Sequence, residues 1–308
     1  MNYLAAYIRF LKRALRARAP LRVVFDCSNG TTGAVLARLF TRTRIRAHLL
    51  NRAPDGNFPA HGPNPLAPGA QDQLRRAVRA RRADLGVIFD ADGDRVFFVD
   101  DRGNPVSSDA IAALIAANFS GPVLVDPRVG YLARGLLKAA RRRVIECRVG
   151  HYFIKRMMRA KKIRFSAEFS GHYYFPVEGA YFDAAILAAL YVINQVARVR
   201  ARGSSLSAWL DSLPRTYHSG ELNFNVSNAS AVIARIERAY RTRAARVSKR
   251  DGLKMEFSPS TSARRASAWW FLVRPSNTEP VLRLMVEAKN ERLFRAQLTQ
   301  LTRLITSR

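Results

Sequence analysis

This sequence is poor in cysteine and, relative to its base, poor in acid. Cys27 and Cys147 are its two cysteines, too few for a disulfide framework or a zinc site, so a reducing cytosol is the expected setting. No run of eighteen apolar residues occurs; the longest apolar stretches are broken by Arg, Asp or Gly at strand-like or helix-like lengths. No membrane span is therefore expected, and the chain reads as soluble. Low-complexity tracts and short repeats are absent as well. Acid is outnumbered, with 23 Asp and Glu against 52 Lys and Arg and a formal net charge of +29; the isoelectric point is near 11.4. The first 25 residues contain no acid and place Tyr3, Leu4, Tyr7, Ile8, Leu11 and Leu15 on one helical face. A mitochondrial presequence and an ordinary first helix both fit that pattern, and the ordinary helix is expected.

Such an excess of base raises nucleic acid, because clustered cations displace counterions from phosphates. Here the arginines are scattered through Ala-rich stretches such as RRAVRARRAD (75–84), AARRRV (139–144), ARVRARG (197–203) and RTRAARVSKR (241–250), without interleaved aromatics for base stacking. A solvated basic surface is expected, with nucleic acid not a partner. Charge-driven nucleic-acid binding stands as a competing class, and a steep loss of affinity with salt would mark it.

A length of 308 residues with 48% hydrophobic content suits two or three compact units. LRVVFDCSNGTTGAVLARLF (21–40) passes from an apolar run through a turn into an amphipathic segment, the start of an α/β unit. Residues 48–68, rich in Pro, Gly and Asn, read as a long ordered loop. A helical segment and the short strand DLGVIFD follow. After the turn signal DDRGN, Ser108 or Asp109 is placed to cap a helix. A second α/β cycle then runs through PVLVDPR, GYLARGLLKAA, RRVIECRVG, HYFIKRMMRAK and a long helix DAAILAALYVINQVARVRA. RGSSLSAWLDSLPRTYHSGE (202–221) carries breakers and reads as a connection. From about residue 216 the strands ELNFNVS, DGLKMEF and SAWWFLVRPS mix with two helices in an α+β pattern.

Three segments carry chemistry. FDADGDRVFFVD (89–100) sets Asp90, Asp92 and Asp94 at alternate positions around Gly93, so that a tight turn can bring the carboxylates together. Hard oxygen ligands suit Mg²⁺. A calcium EF-hand loop is rejected, because its sixth and twelfth positions would be Arg95 and Asp101. Spacing alone leaves a metal site and a polar hairpin equally open. AEFSGH (167–172) places Glu168, Ser170 and His172 at alternate positions, which share one face if the segment is extended. That row suits the hydroxyls of a polyol, or it is merely the polar face of an edge strand. In RPSNTEP (274–280), Arg274, Ser276, Asn277 and Thr278 combine an arginine fork, hydroxyls and an amide in one Pro-stiffened loop, a plausible cradle for a phosphate dianion.

Taken together and in order, these segments resemble the α-D-phosphohexomutase family of phosphomannomutases and phosphoglucomutases. DADGDR is similar to its metal loop DGDGDR, AEFSGH to its sugar loop GExSGH, and RPSNTEP to its phosphate loop. DCSNGTTG (26–33), DGNFPAHGPNP (55–65), RVGHYFIK (148–155) and DGLKMEF (251–257) add to the likeness, which covers nearly the whole chain. The resemblance implies an α/β fold. Two consecutive phosphohexomutase-type α/β domains, domain II at 1–104 and domain III at 105–215, would be followed by a smaller α+β, TATA-binding-protein-like domain IV at 216–308. It implies interconversion of hexose 1-phosphate and hexose 6-phosphate through a bisphosphate intermediate. Mg²⁺ would sit on Asp90, Asp92 and Asp94, with Arg95 beside the transferring group. Glu168 and Ser170 would meet sugar hydroxyls with His172 nearby, Gly150 and His151 would form a further substrate loop, and Arg274, Ser276, Asn277 and Thr278 would clamp the other phosphate.

The chain departs from the family pattern in three places. Arg128 in DPR (126–128) stands where the family often has a lysine that assists proton transfer; it keeps the charge but is a poor base. Ala91 replaces the first glycine of the metal loop. The TxSHNP-like motif with the family's phosphoserine is not in this sequence, and Ser28 is no substitute, since CSNG matches the second domain's own first turn. The resulting expectation is a mutase deprived of its phosphoserine-bearing N-terminal domain by truncation, by splitting into two polypeptides or by a misplaced start codon, so that the phosphoryl carrier comes from elsewhere. The alternative is a catalytically silent phosphosugar-binding remnant.

Overall fold

The structure is a computed structural model, and it describes residues 2–258, 268–276 and 280–307. Asn277 and Thr278 of the phosphate-loop motif lie outside the described residues. Tertiary contacts group the chain into two compact units. The first comprises Met1–Leu124, Leu136–Ile145 and Lys155–Leu213; the second comprises Val125–Gly135, Glu146–Ile154 and Pro214–Arg308.

After helix α1 (Tyr3–Ala14), β1 (Leu21–Asp26), α2 (Thr32–Leu39), β2 (Ile45–Leu50), α3 (Asp72–Arg81), β3 (Leu85–Phe89), β4 (Val96–Val99) and β5 (Pro105–Val106) build the first sheet. Its order is β2-β1-β3-β4-β5. β1 runs parallel to both β2 and β3, whereas β3–β4 and β4–β5 are antiparallel. β3 and β4 are buried along their whole length, as their uninterrupted apolar runs dictate. α3 covers one face through Leu74 and Val78, packed with Val24, Ile88, Phe97 and Val99.

Helix α4 (Ser108–Ala116), β6 (Val123–Val125), α5 (Tyr131–Ala139), β7 (Val144–Glu146), α6 (His151–Lys161), β8 (Ser166–Ala167), β9 (Tyr173–Val177), β10 (Ala180–Asp183) and α7 (Ala185–Ala201) follow. The second sheet is ordered β10-β9-β8-β6-β7. α7 is apolar around most of its circumference and is accordingly buried, packing against α1, α4, β3 and β4. Its Asn194, 4% exposed, accepts from the Arg16 N–H at 2.7 Å and donates to the Ala14 carbonyl at 2.8 Å. One side chain thus satisfies the end of α1, where carbonyls lack intrahelical partners. Among the described residues no helix is long and apolar enough to cross a membrane.

The third sheet belongs to the second unit. After α8 (Leu206–Asp211), it is built from β11 (Tyr217–His218), β12 (Leu222–Asn225), β13 (Arg246–Ser248), β14 (Leu253–Phe257), β15 (Trp269–Pro275) and β16 (Val281–Ala288). The path is β11-β16-β15-β14-β13, with β12 also on β16, and every recorded pairing is antiparallel. α9 (Ala229–Tyr240) and α10 (Glu291–Thr306) complete the layer. Both start at an asparagine N-cap, Asn228 and Asn290, whose side chains accept from Ala231 and Leu293 N–H. Tyr240, Phe257, Trp269 and Phe271 form the aromatic centre of this core.

Several local expectations shift. The cap of α4 is Ser107, not Ser108 or Asp109; its hydroxyl accepts from Ala110 N–H at 3.2 Å. Tyr3 and Tyr7 turn outward at 78% and 39% exposure, leaving Leu11 as the buried residue of α1. The stretch 202–221 contains a helix, α8, capped by Ser205 and tied down where Asp101 accepts from the Ser207 N–H and hydroxyl. Replacing Asn194 by Ala should lower stability by about 1–3 kcal/mol, the cost of orphaning buried polar groups. The measurement is a drop in the urea midpoint with faster amide exchange over residues 3–16; an unchanged midpoint would refute the tether.

Candidate functional site

The DADGDR segment leaves β3 and re-enters the sheet as β4, so its residues form a tight connection between two buried antiparallel strands. Gly93 adopts φ +79°, a left-handed conformation that favours glycine. Asp90 is 1% exposed, and its Oδ1 accepts from the N–H groups of Gly93 at 3.1 Å and Arg95 at 3.0 Å. Asp92 is exposed and Asp94 half-buried. One oxygen from each of the three carboxylates lies within 4.8 Å of the others. That donor set, all hard oxygen on a constrained turn, fits a small divalent cation. The Arg95 Nε–H donates to Asp90 Oδ2 at 2.5 Å, and its Nη1 lies 3.4 Å from Asn64 Oδ1.

The neighbouring loop comes from the second sheet of the same unit. β8 and β9 pair antiparallel, and residues 168–172 turn between them. Glu168 N–H donates to the His172 carbonyl at 2.9 Å and Gly171 N–H to the Glu168 carbonyl at 3.2 Å, with Gly171 at φ +89°. The expected extended row of Glu168, Ser170 and His172 is thus corrected: the segment is a closed turn, because Gly171 reverses the backbone where a strand would need φ negative. The turn still gathers the three side chains. Ser170 Oγ lies 3.0 Å from His172 Nδ1, and Glu168 Oε2 lies 3.6 Å from the same nitrogen. Glu168 is 3% exposed and accepts from the Tyr174 hydroxyl at 2.5 Å.

A short seam joins the two loops. Val96 N–H donates to the Gly171 carbonyl at 3.1 Å, and Arg95 and His172 form an antiparallel bridge. A β-carbon on Gly171 would stand 2.7 Å from the Phe97 ring, so the turn rests against β4 as closely as a backbone can. Across this seam His172 Nε2 reaches Asp94 Oδ2 at 3.4 Å. The charges then sort unevenly. Burial, followed by the hydrogen bond with Asp94, pushes the Asp90 carboxyl up to about 6 against the pull of Arg95. Asp94, hydrogen-bonded to His172, falls to about 2 although burial opposes this. Burial works against a charge on His172, but Asp94 and the Glu168 charge prevail and its pKa is raised.

Behind the metal-type loop, Ser28 donates its hydroxyl to the Phe89 carbonyl at 2.5 Å and Thr31 donates to the Asp92 carbonyl at 3.0 Å. Ser28 is 1% exposed and braces the strand that precedes Asp90. Buried Asp26 accepts from Ser28 N–H at 3.0 Å and from Asn51 at 2.9 Å, and His61 Nε2 lies 3.2 Å away from it.

In the second unit, Arg128 is 3% exposed, and its Nε and Nη2 donate to Asp126 Oδ2 at 3.1 and 2.7 Å. Gly150 has φ +120° and precedes the first residue of α6, exposed His151. Arg274 is the penultimate residue of β15 and is 4% exposed, with Ser276 just beyond the strand, half-buried, its N–H on the Val281 carbonyl. Arg274 Nη2 donates to Glu221 Oε1 at 2.7 Å. Tyr174, Glu221, Asn64 and Asp126 belong to these clusters but not to the residues singled out by sequence. Asn64 was within reach of sequence reasoning, since it lies in the motif DGNFPAHGPNP.

Family models match in sequence order: phosphoglucomutase/phosphomannomutase α/β/α domain II over residues 2–103, domain III over 107–217 and the C-terminal domain over 221–304. The chain belongs to the phosphoglucomutase/phosphomannomutase family. It is 30% identical to the phosphomannomutase of Methanocaldococcus jannaschii over 99% of this chain and 66% of that one. With the phosphomannomutase of Salmonella typhimurium it shares 33% identity, over 88% and 59%. The chain thus spans roughly three fifths to two thirds of the length of these relatives. Among solved structures, a family protein from Burkholderia thailandensis superposes with a TM-score of 0.83 at 26% identity, covering 98% of this chain and 63% of that one. The fold is shared with Aspergillus fumigatus N-acetylphosphoglucosamine mutase, solved in complex with GlcNAc-6P and magnesium (TM-score 0.69, 16% identity, 98% and 65% coverage).

A raised histidine pKa has a definite sign: the stability that His172 contributes is complete below its unfolded value of about 6.5 and is lost as pH rises through the folded value. In metal-free protein the His172 imidazole should titrate above about 6.5 by NMR, and Asp94→Asn should move the midpoint down. A midpoint indifferent to Asp94→Asn would show that the pair does not exist in solution.

Proposed function

We propose that this chain supplies metal, sugar and phosphate recognition for interconverting hexose 1-phosphate and hexose 6-phosphate. The observation that carries this reading is the seam at Val96 and Gly171, which sets the carboxylate triad and the Glu168–Ser170–His172 turn in one unit. Two segments some seventy residues apart would have no reason to share a seam in a plain polar hairpin. Asp90, Asp92 and Asp94 would hold Mg²⁺, which when bound supplies positive charge beside a transferring phosphoryl group.

The chain's own groups divide the remaining work. Arg95, anchored through Nε on Asp90, presents its guanidinium to a phosphoryl oxygen. Glu168, oriented by Tyr174, accepts from a sugar hydroxyl, and Ser170 with His172 orders a second one. Arg274 and Ser276, with Asn277 and Thr278, bind the phosphate that does not react, and Gly150 and His151 form a further substrate loop. Arg128, fixed on Asp126, contributes charge rather than a movable proton. No residue of this chain is assigned as the phosphoryl carrier. Boundaries near residues 104 and 215 belong to the same reading.

Calorimetry with mannose 1-phosphate and glucose 1-phosphate, with and without Mg²⁺, tests it. Binding should require Mg²⁺ for full strength, and Asp92→Asn and Glu168→Gln should each weaken it about tenfold, the worth of one charge-assisted contact. Binding indifferent to both substitutions would remove the reading. The affinity for Mg²⁺ itself should be full well above pH 6 and fall as pH drops through about 6, because a proton on Asp90 excludes the cation. An Mg²⁺ affinity that is flat between pH 5 and 7, checked by titration, would take Asp90 out of the ligand set.

A further inference from the structure

Within the second unit, one group of three arginines is gathered around a carboxylate that no motif marks. Arg274 on β15 and Arg283 on β16 are direct cross-strand partners, an arrangement in which like charges repel. Glu221, immediately before β12 on the other side of β16, resolves it. Its Oε1 lies 2.7 Å from Arg274 Nη2, and its Oε2 lies 3.7 Å from Arg283 Nη1 and 3.5 Å from Arg128 Nη1. The Arg128 and Arg274 side chains are 4% and 5% exposed, whereas that of Glu221 is 22% exposed. The Arg274 Nε–H is buried and has no acceptor among the described residues.

We propose that Glu221 is the built-in counter-ion of the phosphate site at Arg274, and that a phosphate dianion takes over its place. The proposal rests on reading the Arg274 loop as phosphate-binding. Buried guanidinium groups need an anion beside them whether or not ligand is bound. A carboxylate meets that need with one charge and two oxygens. A tetrahedral dianion brings twice the charge and more oxygens, and it matches the arginine fork at least as well. The two anions repel at this range in a weakly screening environment, so Glu221 and the ligand compete instead of cooperating. The partial exposure of Glu221 gives its carboxylate a way into water when displaced. The site would thus answer to tetrahedral dianions, such as phosphate or a phosphate monoester, and hardly to monoanions of the charge Glu221 already supplies.

The test compares the full chain with Glu221→Gln, which keeps the shape and removes the charge. Inorganic phosphate is the probe, in calorimetry and in thermal unfolding. Without phosphate, Glu221→Gln should unfold at a lower temperature than the parent. It should bind phosphate roughly tenfold more tightly, from the lost repulsion, so that added phosphate raises its melting temperature more. A Glu221 that merely positioned the arginines would give the opposite, with equal or weaker binding in the variant, and that result overturns the proposal. Arg274→Ala separates the two readings. If it binds phosphate as the parent does, the phosphate-loop reading fails; if it loses binding while Glu221→Gln binds no more tightly than the parent, the counter-ion role alone fails. Should Glu221→Gln not yield folded protein, Glu221→Asp is read on the same assays. Its shortened side chain should tighten phosphate binding several-fold, and unchanged or weaker binding again overturns the proposal.

Discussion

The candidate site depends on a main-chain contact, the hydrogen bond from Val96 to the Gly171 carbonyl with its adjoining Arg95–His172 bridge. Side-chain geometry on both loops follows from it. Because β4 is buried on both faces and β8–β9 is fixed by its own pairing, each loop is carried by a rigid strand. A bridge between two such loops sets Asp94 and His172 within reach without any long side chain having to search for its partner. In such a preorganised arrangement the groups spend little free energy on ordering themselves.

Charge compensation is the second theme. In a chain so short of acid, carboxylates cluster beside the inward-facing cations and donors of the second unit. Asp126 and Glu221 hold Arg128, Glu146 meets Arg134 and Lys254, and Glu287 accepts from Trp270 Nε1 and Tyr131 N–H. Buried ions without partners would cost several kcal/mol each, on the order of a large part of a domain's stability. Acids thus stand beside the basic side chains that are drawn inward, as Asp126 does with Arg128 and Glu146 with Lys254, and among the described residues Arg128, Lys254 and Arg274 are the buried members of the basic set. The strongly basic composition is in this sense a property of the exterior.

Much of this was legible in the sequence because it is local. The alternation of Asp90, Asp92 and Asp94 around Gly93 and the strand and helix rhythm follow from residue type and spacing within a few positions. What escaped depends on distant pairing. Nothing in AEFSGH announces that Gly171 reverses the chain, since Glu, Ser and His at alternate positions fit a strand equally well; only the pairing of β8 with β9 decides it. Tyr174 looks like an ordinary core aromatic until its hydroxyl meets Glu168. Glu221 carries no local pattern at all, and its meaning comes from the register that sets Arg274 opposite Arg283. Tyr3 and Tyr7 show the converse: they fit the apolar stripe of α1, but packing against α2 and α7 uses a narrower face than the stripe allows.

The close approach of Phe97 to Gly171 has a consequence for how this protein can change over generations. A turn that is pinned by a ring on one side and by a main-chain bond on the other keeps its place when its side chains are exchanged. Side chains at positions 169 and 170, both only half-buried, can then be exchanged for others while the backbone beneath them stays still. Change at these positions can proceed by single substitutions, without passing through a misfolded ancestor.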